Sequence, residues 1–194
     1  MSLVVLVTVT SCASGNDPGD ATGQTTEASR LVRIQLDAEN PSASEGTLEV
    51  GETTLHFPIG FGRLGLACAG TRFQDGWTPL GRFRVNAILS DSDFAMEEDL
   101  VERSGKSEAE LQDSLFRNMS AIDFKGDGQS GEYGSGYISL APVPPTDQPF
   151  QFNTYDGKFR WYSFAIHGTN DERRVGQALT GGCTHVKQDT WKTW

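Results

Sequence analysis

Apolar and polar positions alternate along this chain in short runs. Leu31-Val32-Arg33-Ile34-Gln35-Leu36 sets apolar residues two apart, the spacing of a strand with one buried face. Thr47 to Val50 and Thr54 to Ile59 are further β-prone runs between Gly, Asn and Ser turn residues. Phe83 to Ile88, Tyr137 to Leu140, Gln151 to Thr154 and Phe159 to Ile166 continue the pattern. One stretch changes period. Ser107-Glu108-Ala109-Glu110 fits a capping box, in which the Ser oxygen and the Glu carboxylate each satisfy a free backbone N–H at a helix start. Leu111, Leu115 and Met119 then recur at four-residue steps, a single apolar stripe. The pattern predicts a mainly β domain with a helix there and a shorter one over Met96 to Arg103. Together with the Gly-rich run Lys125 to Gly136 these helices make an insertion over about residues 89–136, either a wall or lid beside a binding site or a passive surface excursion.

The N-terminus follows a different pattern. The first eleven residues are apolar with Thr and Ser, too short to span a membrane and similar to the h-region of an export signal. Val9-Thr10-Ser11-Cys12 resembles a bacterial lipobox, which makes Cys12 a lipidation candidate. No Lys or Arg precedes Arg30, so the positively charged n-region of such a signal is missing, and plain secretion or a buried N-terminal strand remain alternatives. Ala13 to Ser29 holds no large apolar residue and reads as a tether. The expected organisation is a signal-like segment over 1–12, a linker over 13–30 and one folded domain over 31–194.

At 194 residues the chain has room for one such domain with its own core. Its formal net charge of -10 repels phosphate backbones, and no basic cluster offsets this locally, which argues against a nucleic-acid partner. Cys12, Cys68 and Cys183 form an odd set without a CxxC pair, which argues against a disulfide framework and against a zinc ribbon. Cys68 sits among small apolar residues and reads as a core or loop thiol without a role.

The chemistry gathers near the C-terminus. Ser163-Phe164-Ala165-Ile166-His167-Gly168-Thr169-Asn170 reads as a strand that delivers a histidine to its end. Thr180-Gly181-Gly182-Cys183-Thr184-His185-Val186 then presents a cysteine on a Gly-rich turn. A thiol near its ordinary pKa is mostly protonated at neutral pH and needs an imidazole to take its proton. Two glycines before Cys183 let the backbone turn tightly and aim N–H groups at an oxyanion. Taken alone, a buried structural Cys and a satisfied strand-end His fit these residues as well.

The combination resembles a known family. Ile166-His167-Gly168-Thr169-Asn170, a gap, then Thr180-x-Gly182-Cys183 is similar to the H-G-T and [S/T]-x-G-C segments of the L,D-transpeptidase (YkuD-type) catalytic domain. Sixteen positions separate His167 from Cys183, as the family has it. About ninety positions upstream of His167, Trp77-Thr78-Pro79-Leu80-Gly81-Arg82-Phe83 looks like the family's T-P-x-G-x-F segment. Pro58-Ile59-Gly60-Phe61-Gly62 sits where the family has a V-S-T-G-like turn. The resemblance runs from Leu31 to the C-terminus and implies a β-sandwich-like fold with an inserted helical segment.

It also implies a function. Cys183 would be the nucleophile, His167 its base and the Gly168 carbonyl the group that orients the ring. Thr180, Gly181 and Gly182 would build the oxyanion turn, and Thr169, Asn170 and His185 are candidates for substrate contact. The substrate would be the stem tetrapeptide of peptidoglycan, attacked through a thioester acyl-enzyme with no metal or organic cofactor. A second stem peptide, an envelope protein or water would resolve that thioester, in the periplasmic or extracytoplasmic cell envelope, where the chain would meet a membrane only through an N-terminal lipid anchor. Two departures stand out. The family usually carries Arg two positions after the cysteine, where this chain has His185, whose ring cannot reproduce an arginine fork. The family also runs on through closing strands, so a chain that stops at Trp194 looks truncated at the C-terminus. Altered specificity, a catalytically impaired peptidoglycan-binding relative and a neutral change with His185 as a local hydrogen-bonder all fit. A metal held by His167, Cys183 and His185 is a more remote alternative.

Overall fold

The computed structural model describes residues 3–9, 30–67, 73–145 and 151–191. The chain runs β1 (Leu3–Val9), β2 (Arg30–Leu36), β3 (Glu45–Val50), β4 (Thr53–Pro58), β5 (Phe61–Gly62), β6 (Gly65–Ala67), β7 (Trp77–Pro79), β8 (Gly81–Ser90) and β9 (Phe94–Met96). Helices α1 (Glu98–Ser104) and α2 (Glu108–Ser120) follow. The second half is β10 (Gly136–Val143), β11 (Gln151–Tyr155), β12 (Lys158–Tyr162), β13 (Ala165–His167), β14 (Ala178–Thr180), β15 (Thr184–His185) and α3 (Gln188–Trp191). The fold is mainly β with a small helical insert, as the alternation predicts. Its frame is a mixed sheet ordered β15-β13-β10-β8-β1-β2-β3-β4, with β9 paired to β8.

Each face of this sheet carries its own core. On one, Val32, Ile34 and Leu36 of β2 are fully buried with Ile59, Leu140, Phe164 and Ile166, because residues two apart on a strand share a face. On the other, α2 buries Leu111, Leu115, Phe116 and Met119 against Leu89, Tyr137 and Trp161. The capping box is present: Ser107 Oγ accepts from the Glu110 N–H, and the Glu110 carboxylate accepts from the Ser107 N–H. Cys183 packs against both cores.

Two sequence expectations change in the folded chain. Phe159 to Ile166 is not one strand. It divides at Ser163 and Phe164, because β12 turns back on β11 as a hairpin while β13 joins the main sheet beside β10. Folded structure also does not begin near Arg30. Leu3–Val9 forms β1 between β8 and β2, parallel to β2, with Val5 opposite Val32 and Phe83, and Val5 and Val7 buried. A run of branched apolar residues satisfies a strand buried in a sheet as well as it satisfies an h-region, so composition alone does not separate the two. Cys12, most of the linker and Cys68 lie outside the described residues. Among the described residues, no helix is long and apolar enough to cross a membrane.

Candidate active site

Strand register brings the histidine and the cysteine together. In the parallel pair β13–β15, Ile166 lies opposite Thr184 and His167 opposite His185. Cys183, one step before Thr184, therefore shares a face with Ala165, His167 and His185, and stands diagonal to His167. Both line one cavity of about 540 Å³. Its walls include Tyr133, Tyr137, Arg160 and Tyr162.

His167 is fixed on several sides. Its Nδ1 lies 2.5 Å from the carbonyl oxygen of Gly168. A carbonyl can only accept, so Nδ1 carries the hydrogen and Nε2 is left as the basic nitrogen. Tyr133 meets the ring edge-on at 5.0 Å between centroids, and Tyr137 stacks on it at 6.3 Å. This burial, with the nearby His185 ring and the Arg174 charge, pushes the imidazole pKa down to about 3. Cys183 Sγ points to the Ser163 carbonyl at 3.5 Å, and burial pushes its thiol up to about 12. At rest both groups are neutral.

The turn before Cys183 is cradled from outside its own sequence. Thr78 Oγ1 donates to the Gly182 carbonyl at 2.7 Å and accepts from the Gly62 N–H at 2.8 Å. The Gly76 N–H donates to the Gly181 carbonyl at 2.7 Å, and the Arg63 N–H to the Thr180 carbonyl at 3.0 Å. Thr180 Oγ1 accepts from the Gly182 N–H at 3.1 Å and donates to the Cys183 carbonyl. Gly182 has φ +117°, and a Cβ there would sit 2.7 Å from Phe73 Cε2 and from the Trp77 carbonyl oxygen, so only glycine closes this turn. The T-P segment is thus the cradle of the cysteine turn.

Beneath the thiol lies a buried polar chain. Trp161 Nε1 donates to Ser139 Oγ at 2.9 Å, Ser139 Oγ meets Ser163 Oγ at 2.7 Å, and Tyr137 Oη donates to the Ser163 carbonyl at 2.9 Å. Each polar atom there has a partner, as burial demands. The same Ser163 carbonyl faces Cys183.

The other sequence candidates divide. Thr169, Thr180, Gly181 and His185 line the cavity. Gly168 contributes its carbonyl. Asn170 does not reach the cavity: it is exposed and donates from Nδ2 to the Ser130 carbonyl at 2.9 Å, tying the histidine segment to the insertion. His185 is held by its backbone on both sides of Gly60, with N–H···O distances of 3.0 Å, and its Nε2–H donates to the Arg174 carbonyl at 2.8 Å. A Cβ on Gly60 would lie 2.1 Å from that nitrogen, so the Gly60 turn makes the room that His185 fills. His185 is therefore a buried, neutral hydrogen-bonder, its pKa lowered to about 4 chiefly by burial. Among the described residues no three His, Cys, Asp or Glu side chains are gathered as a metal would need, and both histidines already give one ring nitrogen to a carbonyl.

Sequence reasoning missed the remaining walls. Arg160 and Tyr162 alternate on β12 with Phe159 and Trp161, a period-two signal that separates a polar-aromatic face from a buried one. The insertion contributes Phe124, Lys125, Glu132 and Tyr133 to the cavity lining.

No curated protein matches the chain. The YkuD model, the L,D-transpeptidase catalytic domain, matches residues 40–193, which covers the T-P cradle, the histidine strand and the cysteine turn. On that match, and with β1 and β2 lying outside it, the chain belongs to the YkuD family of L,D-transpeptidase catalytic domains.

Proposed function

We propose that this protein is a cysteine-dependent L,D-transpeptidase acting on the stem tetrapeptides of peptidoglycan in the cell envelope. The observation that carries the reading is the lock on His167: Nδ1–H on the Gly168 carbonyl leaves Nε2 free, on the sheet face it shares with Cys183.

The neutral resting pair sets the order of events. Cys183 keeps its proton until the carbonyl of the L-to-D peptide bond arrives. Sγ then bonds to that carbon as the proton passes to His167 Nε2, and negative charge collects on the former carbonyl oxygen. The Gly182 N–H is engaged by Thr180 Oγ1, so the N–H groups of Gly181 and Cys183 on either side are the donors left for this oxyanion. Collapse breaks the C–N bond, His167 returns the proton to the departing amine of the terminal D-residue, and the thioester remains. An amine acceptor or water repeats the sequence in reverse and restores the thiol. A second stem gives a cross-link, an envelope protein gives attachment, and water gives trimming.

A binding-only relative is the second reading. It is favoured by one observation, the Cys183 thiol turned to the Ser163 carbonyl at 3.5 Å, with thiol and imidazole both neutral at rest. Intact-protein mass spectrometry of the chain with tetrapeptide muropeptides and with a carbapenem separates the two. The expected result is one covalent adduct, absent in Cys183→Ala, with release of the terminal D-residue. A folded chain that gains no adduct supports the binding-only reading.

A further inference from the structure

The cavity around Cys183 carries an unbalanced charge. Arg63 is paired with Asp75 at 3.1 Å and Lys125 with Glu132 at 2.8 Å, and all four line it. Arg160 and Arg174 line it too, and no carboxylate of the described residues forms an ion pair with either. Arg174 gives its Nη2 to the Leu179 carbonyl at 3.4 Å, which leaves Arg160 as the one of the two held by side chains alone. This local surplus of positive charge stands against a formal net charge of -10 for the chain. An overall negative field slows the approach of acidic ligands, so a cation kept free inside the cleft counts for more.

Arg160 is held in place by neutral groups alone. It lies opposite Asn153 in the β11–β12 hairpin, and its Nε donates to Asn153 Oδ1 at 2.9 Å. Its guanidinium stacks 4.8 Å from the Tyr155 ring centroid, 5.2 Å from Tyr162 and 5.6 Å from Phe124. The hairpin's other face is fixed by Trp161, fully buried beside Phe152 at 4.5 Å. Aromatic faces hold the plane of the guanidinium without occupying the hydrogens at its edge. What results is a pre-oriented fork whose terminal amino groups suit a carboxylate bidentately.

We infer that Arg160 is a specificity-determining residue that takes a side carboxylate of the acyl-donor stem, so that the site prefers donors whose glutamate and diamino-acid side carboxylates are free over donors in which they are carboxamides. The inference rests on the stem-peptide reading above, but binding can be measured apart from chemistry. Arg160 acts on the donor's affinity and register, not on the proton transfer.

The test compares two synthetic tetrapeptide stems, one with free side carboxylates and one with carboxamides, by calorimetric titration of the full chain carrying Cys183→Ala. The free-acid stem should bind about tenfold or more tightly, the scale of a charge-assisted hydrogen-bond pair. Adding Arg160→Gln should weaken the free-acid stem to the level of the carboxamide stem and leave the latter unchanged. Arg160→Lys should keep part of the preference, since the charge remains and the fork is lost. Thermal melts confirm that each variant is folded. Equal affinity for the two stems before substitution, equal weakening of both in Arg160→Gln, or binding of neither overturns the proposal. If the preference and its loss hold while the chain with Cys183 intact acylates neither stem, the carboxylate site stands and the enzyme reading falls.

Discussion

The two flanks of the main sheet are built on opposite principles. On the β1–β2–β3 flank the buried residues are Val5, Val7, Val32, Ile34, Leu36 and Leu48, apolar side chains whose contribution depends on area and shape. On the β10–β13–β15 flank the buried set includes Ser139, Ser163, His167, Thr184 and His185, each held by directed hydrogen bonds. The first flank supplies stability and tolerates any well-fitting hydrophobe. The second fixes atoms in place, and a lost partner there leaves a buried polar group unsatisfied. Catalysis needs the second kind of construction and stands on the first.

The largest effect should come from the apolar flank. Val5→Asp buries an unpaired carboxylate between β2 and β8, with an expected loss of more than about 4 kcal/mol, while Val5→Ala should lose about 2 kcal/mol. A chain without residues 1–12 should be less stable by several kcal/mol, because the facing edges of β2 and β8 lose their shared partner. Cys183→Ala, by contrast, should change stability by less than about 1 kcal/mol while removing acylation. Urea denaturation of the four chains checks this. A truncated chain as stable as the full one would mean that the sheet does not need β1, in keeping with a cleavable export segment.

Next in size is the turn itself. Gly182→Ala forces a Cβ against Phe73 and Trp77 at φ +117°, and should lower stability by about 2–4 kcal/mol and acylation about a hundredfold through displacement of the thiol. Gly105 makes the control: it ends α1 with φ +69°, but a Cβ there would meet nothing within 4 Å. Gly105→Ala should lower stability by about 1 kcal/mol and leave acylation untouched. Equal effects at the two positions, measured by denaturation midpoints and adduct formation rates, would remove the case for a sterically enforced turn.

Much of the apolar flank was legible because alternation survives in the sequence: Leu31 to Leu36 predicts β2 within one residue. β1 was ambiguous for a physical reason, since a strand buried on a sheet's interior carries no polar face to betray it. On the other flank, His167 and Cys183 stand out because the turn that presents a thiol needs local glycines and a short spacing. Thr78 was visible as part of a motif, but its work on the Gly182 carbonyl, 104 positions away, belongs to tertiary structure. Arg160 and the tyrosines reach the cavity through the placement of a hairpin and an insertion, which no spacing encodes. Asn170 shows the converse, a motif residue whose side chain serves the insertion loop.

The smallest expected effect separates the flanks by pH. His167 and His185 are both buried neutral, with pKa values lowered to about 3 and about 4 from an ordinary 6.5. The unfolded chain therefore binds protons below pH 6.5 that the folded chain refuses, and stability must fall as the solution is acidified from there. Each histidine adds a slope of up to about 1.4 kcal/mol per pH unit. Glu110, Asp123 and Asp171, whose pKa values the fold lowers, contribute little between pH 6.5 and 5, because their ordinary values of 4.5, 3.8 and 3.8 lie below that window. His185→Gln keeps an N–H for the Arg174 carbonyl and removes one titrating group, so its stability at pH 7.5 should change by about 1 kcal/mol while the acid slope falls by about half. Denaturation midpoints at pH 7.5, 6.0 and 5.0 read both numbers. An unchanged slope would mean that His185 takes up its proton in the folded chain as readily as in the unfolded one, and would return it to the list of groups able to meet an anionic substrate.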